Sequence, residues 1–422
     1  MCQAPLKQET NRRYRLSEIY ERYFIDYIGS ADRKLSLQEK HFEAIDKSIS
    51  CRTKKLGICE IVCRGCGELK EIRRSCKHRF CGRCGSFATN QWSETTLRRL
   101  MNIPHHHVIM TLPKAFRKLS QMNGDIVHNA LFQSSAKVLQ NWFIEEYGLQ
   151  IGIVSVLHTA GSDLKYHPHV HMIVSRGGKN RTSGEYKKIA GTYLCPQREL
   201  GRRLKELFTA ALLNLYEGGK LRIYKRLRDK TDFRRWMDKT SCNHWIVSIQ
   251  KPLEDVHQIV QYVGRYTKRA CLSELKLLGI AGEISFKFND YKNSKRGEKP
   301  KVGICKLTPV EFLDKLLQHV PNKGYKMVRY YGLYNSFHLN KIPELWKVAE
   351  KELSLEEGYS LEIEEQLSAL SATSEYVEWR RIMIKKTGKD PFYCEYCDEI
   401  RVVYQMVYET KVIQVYEEPD TS

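Results

Sequence analysis

The chain has 422 residues, 42% of them hydrophobic, which suits two or three domains with real cores. Its formal net charge of +21 and pI of about 9.3 point to a polyanionic partner, nucleic acid ahead of an acidic membrane surface. No apolar run approaches the about eighteen residues of a membrane span, and MCQAPLKQETNRRYR lacks the apolar stretch of a secretory signal. Fourteen cysteines in such a chain are expected as thiols or metal ligands in a reducing cytosol, not as disulfides.

Residues 1–50 have apolar positions at helical spacing, broken at Gly29-Ser30, and read as a helical arm. Residues 51–101 form a cysteine-rich module. Cys63-Arg-Gly-Cys66 and Cys81-Gly-Arg-Cys84 are two CxxC knuckles fourteen residues apart, and four thiolates at that spacing can close a tetrahedron around Zn²⁺. Cys51, Cys59, Cys76 and His78 could form a second site, though they fit no regular template. Arg64, Lys70, Arg73, Arg74, Lys77, Arg79 and Arg83 stud the module and suit DNA phosphates.

His105 to Pro113 reads as a strand, and its triple histidine is more simply surface or hydrogen-bonded than metal-binding. Asp125 to Tyr147 reads as an amphipathic helix. Gln150 to His158 and the run containing HPHVH read as the two strands of a hairpin. Residues two apart on a strand share a face, so His169 and His171 would stand side by side with Val170 turned to the core. Neutral imidazoles so placed can ligate a divalent cation; otherwise they are two satisfied surface histidines. His158 is the candidate third ligand, with His167 or Gln258 as alternatives. The segment 176–242 is the most basic. Arg198 to Tyr216 reads as a helix, and beyond it cations alternate with Tyr224, Phe233 and Trp236, a pattern that suits single-stranded nucleic acid or a solvated basic loop.

Asn243 to Gln250 reads as a strand and Leu253 to Arg269 as a helix. Tyr262 and Tyr266, four apart, share one face of that helix and could reach such a metal together; alone they would read as a core stripe. Strands are expected at Glu283–Tyr291, Lys299–Lys306 and Tyr325–Tyr331, with Thr308 and Glu311 capping a helix between the last two. Beyond Pro343 the chain turns acidic, from Glu344 to Glu365, and reads as a helical extension over 341–422. Its Cys394-Glu-Tyr-Cys397 is a lone CxxC and a weak zinc signal.

Together these residues resemble one family. The stretches CRTKKLG and SCKHRFCGRC are similar to the N-terminal zinc-binding module of rolling-circle insertion-sequence transposases. HTAGSDLKYHPHVHMIVSRGG resembles their HUH motif, and VIMTLP their first strand motif. QYVGRYTKR resembles their tyrosine motif, and LTPVEFLDKLLQHVPNKGYKMVRYYGLY their downstream block. Two tyrosines place the resemblance in the two-tyrosine, insertion-sequence-ninety-one-like branch. It covers residues 40–335, and it departs where Phe80 precedes Cys81 and a histidine stands at position 78.

The resemblance implies an α+β fold: an HUH-nuclease core at 102–340, an antiparallel sheet with flanking helices and a basic insertion at 176–242. A four-cysteine zinc module precedes it and a helical acidic tail follows. It also implies single-stranded DNA at transposon ends and in targets as partner. Mg²⁺ or Mn²⁺ would be held by His169, His171 and a third ligand, and Tyr262 or Tyr266 would form a 5′-phosphotyrosine. Arg265, Lys268 and Arg269 would hold neighbouring phosphates. A rolling-circle replication initiator and a non-enzymatic zinc-ribbon regulator are the rival readings.

Overall fold

The computed structural model describes residues 13–241, 245–264, 267, 270–291, 293–294, 300–348, 383–384, 388–397, 399 and 401–414. It divides into two units, one of residues 1–45 and 78–348, the other of 46–77 and 349–422.

In the first unit the expected hairpin becomes the centre of an antiparallel sheet. The strand Tyr166–Asn180 lies between Leu149–Ala160 and His105–Thr111, with Val328–Gly332 outside the former and Val247–Ile249 outside the latter; Tyr186–Lys188 adds to the far end of the central strand. Register sets the faces. Ile109 pairs with His171, Met110 with Val170 and Thr111 with His169, while His158 pairs with His169. Because side chains alternate along a strand, Val108, Met110, Val170, Met172 and Val174 all enter one core, and the odd-numbered residues of those two strands look the other way.

The long helix Gly124–Tyr147 and the helix Gln197–Glu217 cover the core face, with Leu131, Phe132, Leu139, Leu204, Phe208 and Leu212 buried. The basic segment is part of this layer and not an excursion from it. Residues Lys230–Ser241 form a helix whose Phe233 is 0% exposed, stacked on Tyr216 at 4.0 Å, and Trp236 packs its ring against Phe116 at 5.6 Å. Those aromatics serve the core, so the interleaving expected to stack bases is instead an amphipathic helix with its cations outside. Thr308 caps the helix Pro309–Leu317 in a capping box with Glu311, as its spacing predicts. The strands Ile284–Asp290 and Lys301–Leu307 pair in a separate three-stranded sheet with Leu277–Gly279.

The second unit is a four-stranded sheet in the order Val412–Gln414, Arg401–Val407, Ile58–Cys63, Leu69–Arg73. The C-terminal extension expected to be helical thus contributes two strands. The acidic positions from Glu350 to Glu365 lie outside the described residues. Among the described residues no helix is long and apolar enough to cross a membrane.

Three buried histidines of the first unit are held neutral by their burial. His105 donates from Nδ1 to the Ile103 carbonyl at 2.7 Å and accepts at Nε2 from the Tyr334 hydroxyl at 2.6 Å. His319 donates from Nε2 to the Leu164 carbonyl, and His128 faces the Tyr166 hydroxyl at 2.9 Å. Burial is the main cause that lowers each to about 4 from an ordinary 6.5. Between those values the unfolded chain binds protons that the folded chain does not, so stability falls as pH drops through this window. By pH 5 each ring should cost on the order of 1–2 kcal/mol. Urea midpoints measured at pH 7 and pH 5 should show the loss; a midpoint indifferent to pH would refute the neutral, buried state.

Candidate active site

The face of the sheet opposite the core carries the histidines. His158, His169 and His171 bring ring nitrogens within 4.8 Å of one another. His169 and His171 are almost wholly buried, and Nε2 of one lies 3.1 Å from Nε2 of the other. His169 Nδ1 is 2.6 Å from the His167 carbonyl, which can only accept, so Nδ1 carries the proton and Nε2 is left as a lone pair. Desolvation is the largest cause holding His169 at about 4 and His158 and His171 well below the usual imidazole range; neighbouring rings add to it. The rings are therefore neutral at physiological pH. Two lone pairs meeting at this distance repel unless a proton or a cation lies between them.

His107 completes the arrangement, and little in the residue pattern marks it. It stands on the adjacent strand, its ring 7° from parallel with that of His171, and its Nε2 lies 2.9 Å from His171 Nδ1. When His171 Nε2 is a lone pair, His171 Nδ1–H donates to His107. Of the three consecutive histidines, alternation sends only His105 and His107 to this face; His105 is taken by Tyr334, and His106 meets the Gln250 carbonyl. His167, the alternative third ligand, is instead beside the Arg117 guanidinium. That cation sits on the short helix Arg117–Met122, and no sequence motif marks it either.

The cysteines do not pair as their spacing suggests. Cys63 and Cys66 converge with Cys394 and Cys397, all four sulfurs within 4.8 Å of one another. Cys81 and Cys84 belong to the other unit, at the start of the helix Gly85–Leu97, and are not part of this set. The expected quartet of Cys63, Cys66, Cys81 and Cys84 is therefore corrected. The strand ending at Cys63 pairs along its length with Arg401–Val407, and that pairing carries the C-terminal knuckle to the N-terminal one. Cys59, a candidate for a second site by sequence, sits in a small apolar core with Ile61 and Phe392.

The tyrosine helix spans Val256–Gly264, with Val256, Ile259, Val260 and Val263 buried. The Tyr262 ring meets His107 edge-on at 5.1 Å between centroids, so it is one side chain removed from the His171 imidazole. Tyr266, Arg265, Lys268 and Arg269 lie outside the described residues. Gly264 sets how closely this helix approaches Gly85–Leu97: a Cβ there would fall 3.0 Å from Ser93 Oγ and 3.2 Å from Thr89 Cγ2 and Trp92 Cζ3. Gly264→Ala should be close to neutral, since the helical gain of removing glycine offsets a tight contact. Gly264→Val should cost about 1–3 kcal/mol by forcing the helices apart. Chemical denaturation of both variants checks this, and equal stabilities would show that the contact is not limiting.

Residues 152–341 match a family model described as "Putative transposase", and residues 19–112 match one described as "Transposase zinc-binding domain". The chain is 31% identical over 336 residues to the "Putative transposase y4qJ" of Sinorhizobium fredii, covering 78% of this chain and 82% of that one. It is 27% identical over 328 residues to the transposase for insertion sequence element IS801 of Pseudomonas savastanoi pv. phaseolicola, covering 74% of this chain and 76% of that one. No solved structure matches it. The first model takes in the histidine strand and the tyrosine helix, the second the N-terminal cysteine knuckles. With a relative this similar along most of both chains, the protein belongs to the IS91-type family of transposases.

Proposed function

We propose that the chain cleaves single-stranded DNA at insertion-sequence ends and rejoins it elsewhere through a 5′-phosphotyrosine. The observation that carries this is the set of three neutral imidazoles, His158, His169 and His171, with the Tyr262 ring packed on His107, the hydrogen-bond partner of His171. A transposase must cut and join DNA, and this is where the first unit gathers groups suited to phosphoryl chemistry.

The residues fit a divalent cation. Two nitrogens bound at ~2.1 Å and at right angles to one another are separated by about 3.0 Å, close to the 3.1 Å between His169 and His171 Nε2. His158, His169 and His171 would hold Mg²⁺ or Mn²⁺, which when bound would supply Lewis-acid polarisation of the scissile phosphate. The Tyr262 or Tyr266 oxygen attacks phosphorus, the bond to the 3′ oxygen breaks, and the tyrosine proton is carried to the departing hydroxyl or to solvent. The new phosphodiester conserves the energy of the old one, so a 3′ hydroxyl can later displace the tyrosine without ATP. A second tyrosine four residues on allows a second cut while the first strand is still held. Arg117 beside His167, and Arg265, Lys268 and Arg269 from the tyrosine motif, are the cations assigned to flanking phosphates.

The purified protein, given labelled single-stranded DNA bearing its element's end with Mg²⁺ or Mn²⁺, should form an adduct that survives denaturing gel electrophoresis. Mass spectrometry should place it on Tyr262 or Tyr266, and His169→Ala should abolish it. Tight DNA binding with no adduct on any end would sink the reading in favour of a non-enzymatic binder. A second expectation separates positioning from ligation. His107→Phe keeps the ring against Tyr262 but removes the partner of His171 Nδ1, and should weaken Mn²⁺ binding roughly 10–100-fold. Cleavage at saturating Mn²⁺ should largely persist, and unchanged affinity in a Mn²⁺ titration would remove His107 from the site.

A further inference from the structure

The C-terminal CxxC, weak as a sequence signal, meets the N-terminal one as its mirror. Cys63 Sγ lies 3.4 Å from Cys397 Sγ, and Cys66 Sγ lies 3.6 Å from Cys394 Sγ. Four sulfurs at ~2.3 Å from a tetrahedral zinc stand about 3.8 Å apart. The two turns are built alike. Cys63 N–H donates to the carbonyl of Glu68 and Cys394 N–H to that of Glu399, the same five-residue closure in each, at 3.0 and 2.9 Å. The turns also approach closely at position 65: a Cβ on Gly65 would sit 3.1 Å from Cys397 Sγ and 2.9 Å from Glu399 Cγ, so a side chain there would have to displace one of them. Beside them Arg401, 1% exposed, pairs with Glu68 and donates to the Tyr393 carbonyl. It puts a cation next to a centre in which four thiolates on one Zn²⁺ would carry excess negative charge.

We infer that Cys63, Cys66, Cys394 and Cys397 bind one structural zinc ion that joins two segments far apart in the sequence, making residues 388–397 and 401–414 an integral half of the zinc-binding unit. This goes beyond the matched zinc-binding region, which ends at residue 112, and it does not depend on the nuclease reading. The alternatives within reach differ sharply. If the zinc is closed by Cys81 and Cys84 instead, the C-terminal thiols are bystanders. If no metal binds, Cys66 and Cys397, both exposed, are open to reagents.

The full-length protein, purified with zinc, would be treated with N-ethylmaleimide before and after chelation, and every cysteine followed by peptide mass spectrometry. All four thiols should resist labelling despite the exposure of two of them, and chelation should release them together. Zinc content by elemental mass spectrometry should fall by one ion per chain in Cys394→Ser/Cys397→Ser, with Cys63 and Cys66 becoming reactive without chelator. The labelling uses the unaltered protein, so it remains decisive even where the variant folds poorly. Cys394 and Cys397 reacting at one rate with or without chelator, while Cys63 and Cys66 stay protected, would overturn the assignment. So would rapid labelling of all four thiols in the zinc-loaded protein.

Discussion

Burying imidazoles side by side on one sheet face is the constraint on which the candidate active site depends. Removing them from water makes protonation costly, so the rings stay neutral with their lone pairs available. The backbone then fixes which nitrogen is free: the His167 carbonyl accepts a hydrogen bond from His169 Nδ1–H and leaves Nε2 turned toward His171. A sheet is the right support for this. Its pairing holds His169 opposite both His158 and Thr111, so the cluster is set by the backbone ladder rather than by loop conformation. The same alternation commits Val170 and Met172 to the core, so the strand cannot slip by one residue without exchanging imidazoles for aliphatic side chains.

The helix that delivers Tyr262 is placed by a different device. Its valines and Ile259 are buried, and its distance from Gly85–Leu97 is set by the missing side chain at Gly264. The Gly264 carbonyl accepts both the backbone N–H and the hydroxyl of Thr267, at 3.0 and 2.7 Å. Close packing on one side and a satisfied helix end on the other hold the Tyr262 ring against His107.

Where local rules decide, the sequence is readable. The period of two in HPHVH, the hairpin joining it to His158, and the Thr308 capping box follow from residues a few positions apart, and they appear in the structure. Features that depend on long-range partners are not. Phe233 and Trp236 look like base-stacking rings until Tyr216 is seen to receive the first and Phe116 the second. His107 looks like any member of a triple histidine until register puts it on the face of His171. The knuckles Cys63–Cys66 and Cys81–Cys84 suggest one site only because they are near in sequence. Local geometry specifies that a CxxC turn can offer two thiolates, but only strand pairing decides which second turn it meets.

The same pairing governs how the second unit holds together. Its described core is small: Cys59, Ile61 and Phe392, with Ile72, Val403 and Met406 partly buried against them. A core of this size buries too little apolar surface to balance the conformational entropy of two chain segments hundreds of residues apart in sequence. Ladder hydrogen bonds between Ile58–Cys63 and Arg401–Val407 give the segments a register, yet each contributes only about 0.5–1.5 kcal/mol net. The inferred four-thiolate zinc centre would supply the missing free energy in the way small metal-bound domains commonly do, since binding and folding are then one event. The Arg401–Glu68 pair is a weak stabilising element in isolation, because withdrawing the guanidinium from water, with Glu68 still about a third exposed, offsets much of their attraction. Next to a negatively charged metal centre the same arginine, already bonded to Glu68 and the Tyr393 carbonyl, would gain a further partner, which would account for a guanidinium almost wholly withdrawn from solvent.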